Sequence, residues 1–202
     1  DHQHVAAGDA GARGFLLGAT AGRTTLSGEG LQHEDGHSHI LAGTIPNCVS
    51  YDPTFGYEVV VIIQDGMRRM YENNENVYYY VTVMNENYTQ PEMPKGAEEG
   101  IRKGMYLLKQ IDASKKSARA QLMGRGTILR EVIAAAELLQ KDFDIASDIW
   151  SATSFTELGR DGMACERWNR MHPEAAPRLP FVAQCLEKRS GSGSPRHNTY
   201  LQ

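Results

Sequence analysis

The sequence predicts an α/β fold, and three stretches predict it. Val77 to Met84, VYYYVTVM, is rich in aromatic and β-branched residues and nearly all apolar, the composition of a strand covered on both faces. Ahead of it, Val59, Ile62, Ile63, Gly66, Met67 and Met70 keep the i, i+3, i+4, i+7 rhythm of a helix that buries one face against a sheet. After the composition shift at 112–119, DASKKSAR, strand, turn and helix start again: Ala120 to Met123, then Gly124-Arg125-Gly126, then a helix from Thr127 with Leu129, Val132, Ile133, Ala136 and Leu139 on one face. We place a domain boundary in that shift, with one domain over 1–112, a linker over 113–119 and a second domain over 120–187.

The remaining elements follow in order. Asp1 to Ala12 is polar, contains glycine and lacks an initiating methionine, so it reads as a cut end. Phe15-Leu16-Leu17 is a short apolar run. Ile45 to Val49 reads as a short buried strand, and Asp52-Pro53 as the N-cap and first-turn proline of the helix that follows. The polar turn Glu72 to Asn76 ends that helix. Asn85 to Lys95, with Pro91 and Pro94, is a loop leaving the C-terminal end of a strand, where parallel sheets place ligand-binding residues, so Asn85, Glu86 and Asn87 are second-rank site candidates. Glu98 to Lys103 makes a helical turn and Met105 to Ile111 an edge strand. Ala146 to Thr153 is the next strand and Phe155 to Met171 an amphipathic helix in which Trp168 is packed. From 188 onward, RSGSGSPRHNTYLQ follows a lysine and is low in apolar content, a flexible tail.

Bulk properties set the outer limits. A chain of 202 residues buries about 70% of the surface its unfolded form exposes, enough for one large or two small domains. A net charge of -4 leaves no electrostatic footprint for nucleic acid or an anionic membrane, and Lys115, Lys116 and Arg119 form only a small basic cluster. Cys48, Cys165 and Cys185 are too few and too scattered for a disulfide framework, which makes a reducing cytoplasm the simplest setting. No apolar run approaches the roughly 18 residues of a membrane helix.

Most of the chemistry is concentrated in Gly28 to His39, GEGLQHEDGHSH: three histidines, two acids after the first glutamate, and three glycines. His33-Glu34-x-x-His37 satisfies the H-E-x-x-H pattern of zinc hydrolases, in which a helix presents both histidines and the glutamate activates a metal-bound water. The context does not suit a helix. Gly28, Gly30 and Gly36 interrupt it, at about 1 kcal/mol for each interior glycine, and no apolar stripe compensates. A loop in which glycines bring the backbone close to a ligand fits better. Gly18 to Thr24 lacks the spacing and the lysine of a Walker loop, and Gly124-Arg125-Gly126 lacks the third glycine of a dinucleotide fingerprint, because Leu129 stands there.

Glu34-Asp35-Gly36-x-x-His39 resembles the E-D-G-x-x-H segment of the transketolase group of thiamine diphosphate enzymes. The longer run from Gly22 to Asn47, with YDPTFGYE, VYYYVTVMNENY, GAEEGIRKG and SFTELGRDG, is similar to the bacterial homodimeric pyruvate dehydrogenase family, over about Ala6 to Glu187. That resemblance implies the end of a pyrimidine-binding transketolase-like domain, followed by part of a transketolase C-terminal-like α/β domain. It also implies oxidative decarboxylation of pyruvate with thiamine diphosphate and magnesium, acetyl transfer to the lipoyl group of an acetyltransferase component, and a homodimer. His39 matches the group's active-site histidine and Asp35 its substrate-side aspartate. His37 and His33 have no counterpart in the wider group; orienting His39 or contacting loop backbone is their expected role, with His37 placed beside His39 as catalytic and His33 beside Asp35 as substrate-binding. The G-D-G motif and asparagine that hold magnesium and diphosphate in the family find no match, nor does the glutamate that activates the cofactor, so no metal ligands are assigned. The expectation is an interior fragment, inactive alone, against two alternatives: a zinc hydrolase through His33 and His37, or a noncatalytic interaction fragment.

Overall fold

The computed structural model describes residues 2–19, 37–84, 86–114, 118–187 and 189. In chain order these form α1 (His2–Asp9), β1 (Phe15–Ala19), α2 (Ser38–Gly43), β2 (Cys48–Tyr51), α3 (Gly56–Met67), a π-helical turn (Arg68–Glu72) and β3 (Tyr78–Val83). There follow α4 (Glu98–Lys103), β4 (Tyr106–Ile111), β5 (Arg119–Gly124), α5 (Gly126–Phe143), β6 (Ala146–Ser151), α6 (Phe155–Met171) and α7 (Phe181–Glu187). The α/β class is the one the periodicities predict.

The first sheet is parallel, in the order β1-β3-β2. Its centre is the tyrosine-rich strand: Tyr79 lies opposite Phe15 on one side and Val49 on the other. Side chains alternate between faces along a strand. Tyr79 and Val81 accordingly meet Val61, Ile62 and Met70 on one face, while Tyr78 and Tyr80 pack with Ala42, Cys48, Leu16 and Ala7 on the other. Burial of both faces explains why the run is so apolar. Where α3 crosses β1, only glycine fits: a Cβ on Gly66 would lie 2.7 Å from the ring of Phe15.

One local expectation gives way to tertiary contacts, and one stretch to which the sequence assigned no element gains one. The polar start forms α1, held in part by Asn47, whose side-chain amide donates to the Gly8 carbonyl at 3.1 Å. Asp52 is not the N-cap of α3: Phe55 is, with the Glu58 carboxylate one turn in accepting its backbone N–H at 3.0 Å. The Asp52 carboxylate is engaged elsewhere, as described below.

The second sheet runs β4-β6-β5, with β5 parallel and β4 antiparallel to β6. β4 is the edge strand expected from its sequence, but its partner is β6. The change of sheet therefore falls between β3 and β4, and 113–119 joins two strands of one sheet. One face carries α5, through Leu129 and Ala136 on Ile149; the other packs Met105 and Trp150 against Leu158 and the partly buried side chains of α7. Gly124 is what lets α5 approach, since a Cβ there would lie 2.8 Å from Leu129 Cα. Trp168 is only half-buried, stacked on His172 at 4.5 Å with the Arg178 guanidinium 4.0 Å over its ring.

The two sheets are joined along β2, the edge of the first. Asp52 N–H donates to the Thr153 carbonyl at 2.8 Å and Ser154 Oγ to the Ser50 carbonyl at 2.6 Å. Arg160 of α6 donates to the carbonyls of Cys48 (2.7 Å), Ile45 (2.8 Å) and Gly43 (3.3 Å). Backbone groups that an edge strand would leave open are thus satisfied from the second unit.

Candidate functional site

The chemistry-bearing side chains that the structure brings together lie at the C-terminal ends of β2 and β3, the position at which parallel sheets present ligand sites. His39 sits in the first turn of α2 and is buried, at 5% exposure. Its Nε2 is 3.0 Å from the Thr82 hydroxyl, and its ring leans on Tyr80 with centroids 5.2 Å apart. Thr82 in turn donates to Asp52 Oδ1 at 2.6 Å. Asp52 Oδ2 pairs with Arg125 Nε at 3.4 Å, and the Asp52 carbonyl accepts the Gly126 N–H at 3.1 Å. A chain of polar contacts therefore runs from an imidazole of the first unit to the β5–α5 turn of the second.

Tyr80 is held over His39 by the strand beside it. Gly18 lies opposite Thr82 in β1, and a Cβ at Gly18 would come 2.6 Å from the Tyr80 hydroxyl. Under α2, burial pushes the Cys48 thiol and the Tyr78 hydroxyl above their ordinary values, and the two hydrogen-bond each other, so both stay protonated at neutral pH.

The sequence candidates fare differently. His39 is the one the fold buries among polar partners. His37 is at the N-cap of α2, exposed, with its carbonyl accepting the Leu41 N–H at 2.9 Å; its ring does not share the burial of His39. His33, Asp35 and Asn85 lie outside the described residues, as does most of the H-E-x-x-H pattern. Glu86 pairs with Arg130 of α5 at 2.9 Å, and Asn87 is exposed. Among the described residues no group of three or more His, Cys, Asp or Glu side chains is placed to hold a metal.

Thr82, Asp52 and Arg125 are the residues that reading the sequence missed. Thr82 had a signal, being the only aliphatic hydroxyl in the run VYYYVTVM. Asp52 is equally good as an N-cap by sequence, and nothing local distinguishes the two roles.

A second buried cluster centres on Glu58, which is fully buried. Its Oε2 accepts from the backbone N–H of Thr54 at 2.5 Å and of Phe55; its Oε1 accepts from the hydroxyls of Tyr106 at 2.7 Å and Ser151 at 2.6 Å. Tyr57 extends it, its hydroxyl hydrogen-bonded to that of Tyr106 at 2.6 Å, with its own ionisation pushed up to about 12, chiefly by burial. All four of these bonds to Glu58 come from donors, so the carboxylate is a structural junction between the units.

Comparison with known proteins bears on both units. Residues 2–91 match the pyruvate dehydrogenase E1 component middle domain, and residues 104–192 the transketolase-like C-terminal domain. The chain is 62% identical to the pyruvate dehydrogenase E1 component of Pseudomonas aeruginosa over 92% of its length, and 63% identical to that of Escherichia coli over 90%. It spans about one fifth of the length of these curated relatives, 21% and 20% respectively. Among solved structures, a transketolase variant from Pichia stipitis superposes with a TM-score of 0.53 at 13% identity, covering 71% of this chain and 19% of that one. Transketolase from Leishmania mexicana gives 0.50 at 15% identity, covering 70% and 19%. These two likenesses concern the fold alone. None of these names supports the zinc-hydrolase reading of His33 and His37.

Proposed function

The chain belongs to the pyruvate dehydrogenase E1 component family, and from that premise we propose that it is part of the component that decarboxylates pyruvate and passes the acetyl group to the lipoyl group of an acetyltransferase partner. The observation that carries this reading is the identity of 62–63% over nine tenths of the chain, with His39 buried at the ligand-binding end of the first sheet.

Thiamine diphosphate, bound with magnesium, supplies the nucleophilic carbon and the electron sink of such a reaction. The described residues do not fit the anchoring of its diphosphate or metal: Asp52, the carboxylate at this end of the sheet, is already bonded to Thr82 and paired with Arg125. We assign that anchoring to the rest of the complete protein. The described part fits the substrate side. His39 holds a fixed ring at which a hydrogen bond to a small 2-oxo acid, or a proton, can be handled near neutral pH. Asp35 is proposed to face the same substrate, and His33 and His37 to support the loop.

The same reading includes a homodimer and a cytoplasmic setting. Leu17, Ile40 and Leu41, exposed at 60%, 66% and 42%, are apolar surface of the kind an assembly covers. No described helix is long and apolar enough to cross a membrane.

The test uses a complete protein containing this stretch. His39→Ala is expected to lower pyruvate decarboxylation by at least 100-fold, the scale of a lost general acid or base, while cofactor affinity changes little. Undiminished turnover overturns the assignment.

A further inference from the structure

We propose that Thr82 and Asp52 are positioning residues that fix the tautomer of His39, so that Nε2 carries the ring proton and Nδ1 the lone pair. This deepens the function above and rests on reading His39 as an active-site histidine.

The inference follows from counting protons. The Thr82 hydroxyl has one, and three acceptors lie near it: Asp52 Oδ1 at 2.6 Å, the Tyr51 carbonyl at 3.4 Å and His39 Nε2 at 3.0 Å. A bond to an ionised carboxylate is the shortest and strongest of the three, so the proton goes to Asp52. The Thr82 oxygen can then only accept from His39, and the hydrogen of that contact must be on Nε2. In the neutral ring Nδ1 carries the lone pair.

Asp52 is itself held where it can impose this order. Its backbone bonds to Thr153 and Gly126 and its carboxylate pairs with Arg125. Gly126 has φ +49, and a Cβ there would lie 2.8 Å from Asp52 Oδ1, so the turn accepts the carboxylate only because it is glycine. The second unit, which contributes none of the candidate catalytic side chains, thereby sets the protonation pattern of one that belongs to the first.

The test is the ring nitrogen spectrum of the full 202-residue chain, labelled with nitrogen-15 at histidine and recorded at alkaline pH, with His39 assigned by the signals lost in His39→Gln. The expected wild-type spectrum shows Nε2 protonated and Nδ1 unprotonated. Thr82→Ser should keep that pattern. In Asp52→Asn the carboxamide oxygen turns to Arg125 and its NH2 to Thr82, so the hydroxyl reverses and donates to Nε2; the proton of His39 then moves to Nδ1. A wild-type ring protonated at Nδ1 overturns the proposal without any variant. So does a wild-type pattern that persists in Asp52→Asn. These readouts are independent of turnover: an intact His39→Ala enzyme would remove the function assigned to the histidine while leaving its tautomer as described.

Discussion

Ser151 of β6 donates its hydroxyl across 2.6 Å to Oε1 of Glu58 in α3, so a carboxylate at zero exposure in one unit is completed by a side chain of the other. A buried acceptor with four donors is costly to remove, because the donors stay behind. Glu58→Leu should lose about 3–5 kcal/mol in chemical denaturation, the range for breaking a buried charged group from its partners. Glu58→Gln should lose about 1–3 kcal/mol, since its oxygen can face the two backbone N–H groups and the hydroxyls of Tyr106 and Ser151 can rotate to accept from its NH2. Equal losses would show that the carboxylate is not the junction.

Arg160 is the corresponding donor on the other side of the joint. Its three carbonyl partners close the turn between α2 and β2. Arg160→Ala should cost about 1.5–3 kcal/mol, as expected for bonds to a charged donor, and should speed hydrogen exchange across 43–48 more than elsewhere. Exchange that rises uniformly would contradict this.

Asp148 makes stability pH-dependent. Burial alone would raise its pKa, but Gln121, Gln110 and Arg119 all bond the charged form and hold it below the ordinary 3.8. A carboxyl lowered on folding contributes its full stabilisation above the unfolded value and loses it as pH falls through the folded one. Denaturation midpoints should therefore drop as pH falls below about 4, and Asp148→Asn should flatten that limb while lowering stability at pH 7. An unchanged acid limb in the variant would refute it.

Gly126→Ala combines a left-handed backbone with a contact to Asp52 that a Cβ would make too close. It should destabilise by about 1–3 kcal/mol and, in the full-length enzyme, impair turnover more than Gly96→Ala. Gly96 also has positive φ, at 79, but has nothing within 4 Å of its would-be Cβ. Comparable effects of the two would show that strain alone, and not the displacement of Asp52, is responsible.

The cysteines offer a simpler check. Cys48 and Cys165 are buried and burial raises the Cys48 thiol further from its reactive form. Native chain should react with iodoacetamide slowly at both and faster at half-buried Cys185, with all three modified after denaturation. Rapid native labelling of Cys48 would mean the layer under α2 opens.

What the sequence determined by itself is the set of elements whose signal is periodic or compositional. The tyrosine-rich strand, the helix over Val59 to Met67, α5 and α6 all bury a face over several turns or a whole strand, and a repeated pattern survives any single exception. His39 was singled out by a motif whose residues are contiguous, and the fold buries it beside Thr82. Tertiary structure decided what lies between elements. α1 has no amphipathic pattern and is fixed by contacts such as Asn47 to Gly8. β4 reads as an edge strand from sequence, but which sheet it edges depends on a partner forty residues on. Asp52 reads as a helix cap because capping needs only the next few residues, whereas its bonds to Thr82 and Arg125 span 30 and 73 positions. Local chemistry is written in neighbouring residues; the choice among several satisfactory partners for one polar group is made only when the fold brings the alternatives within a hydrogen bond of it.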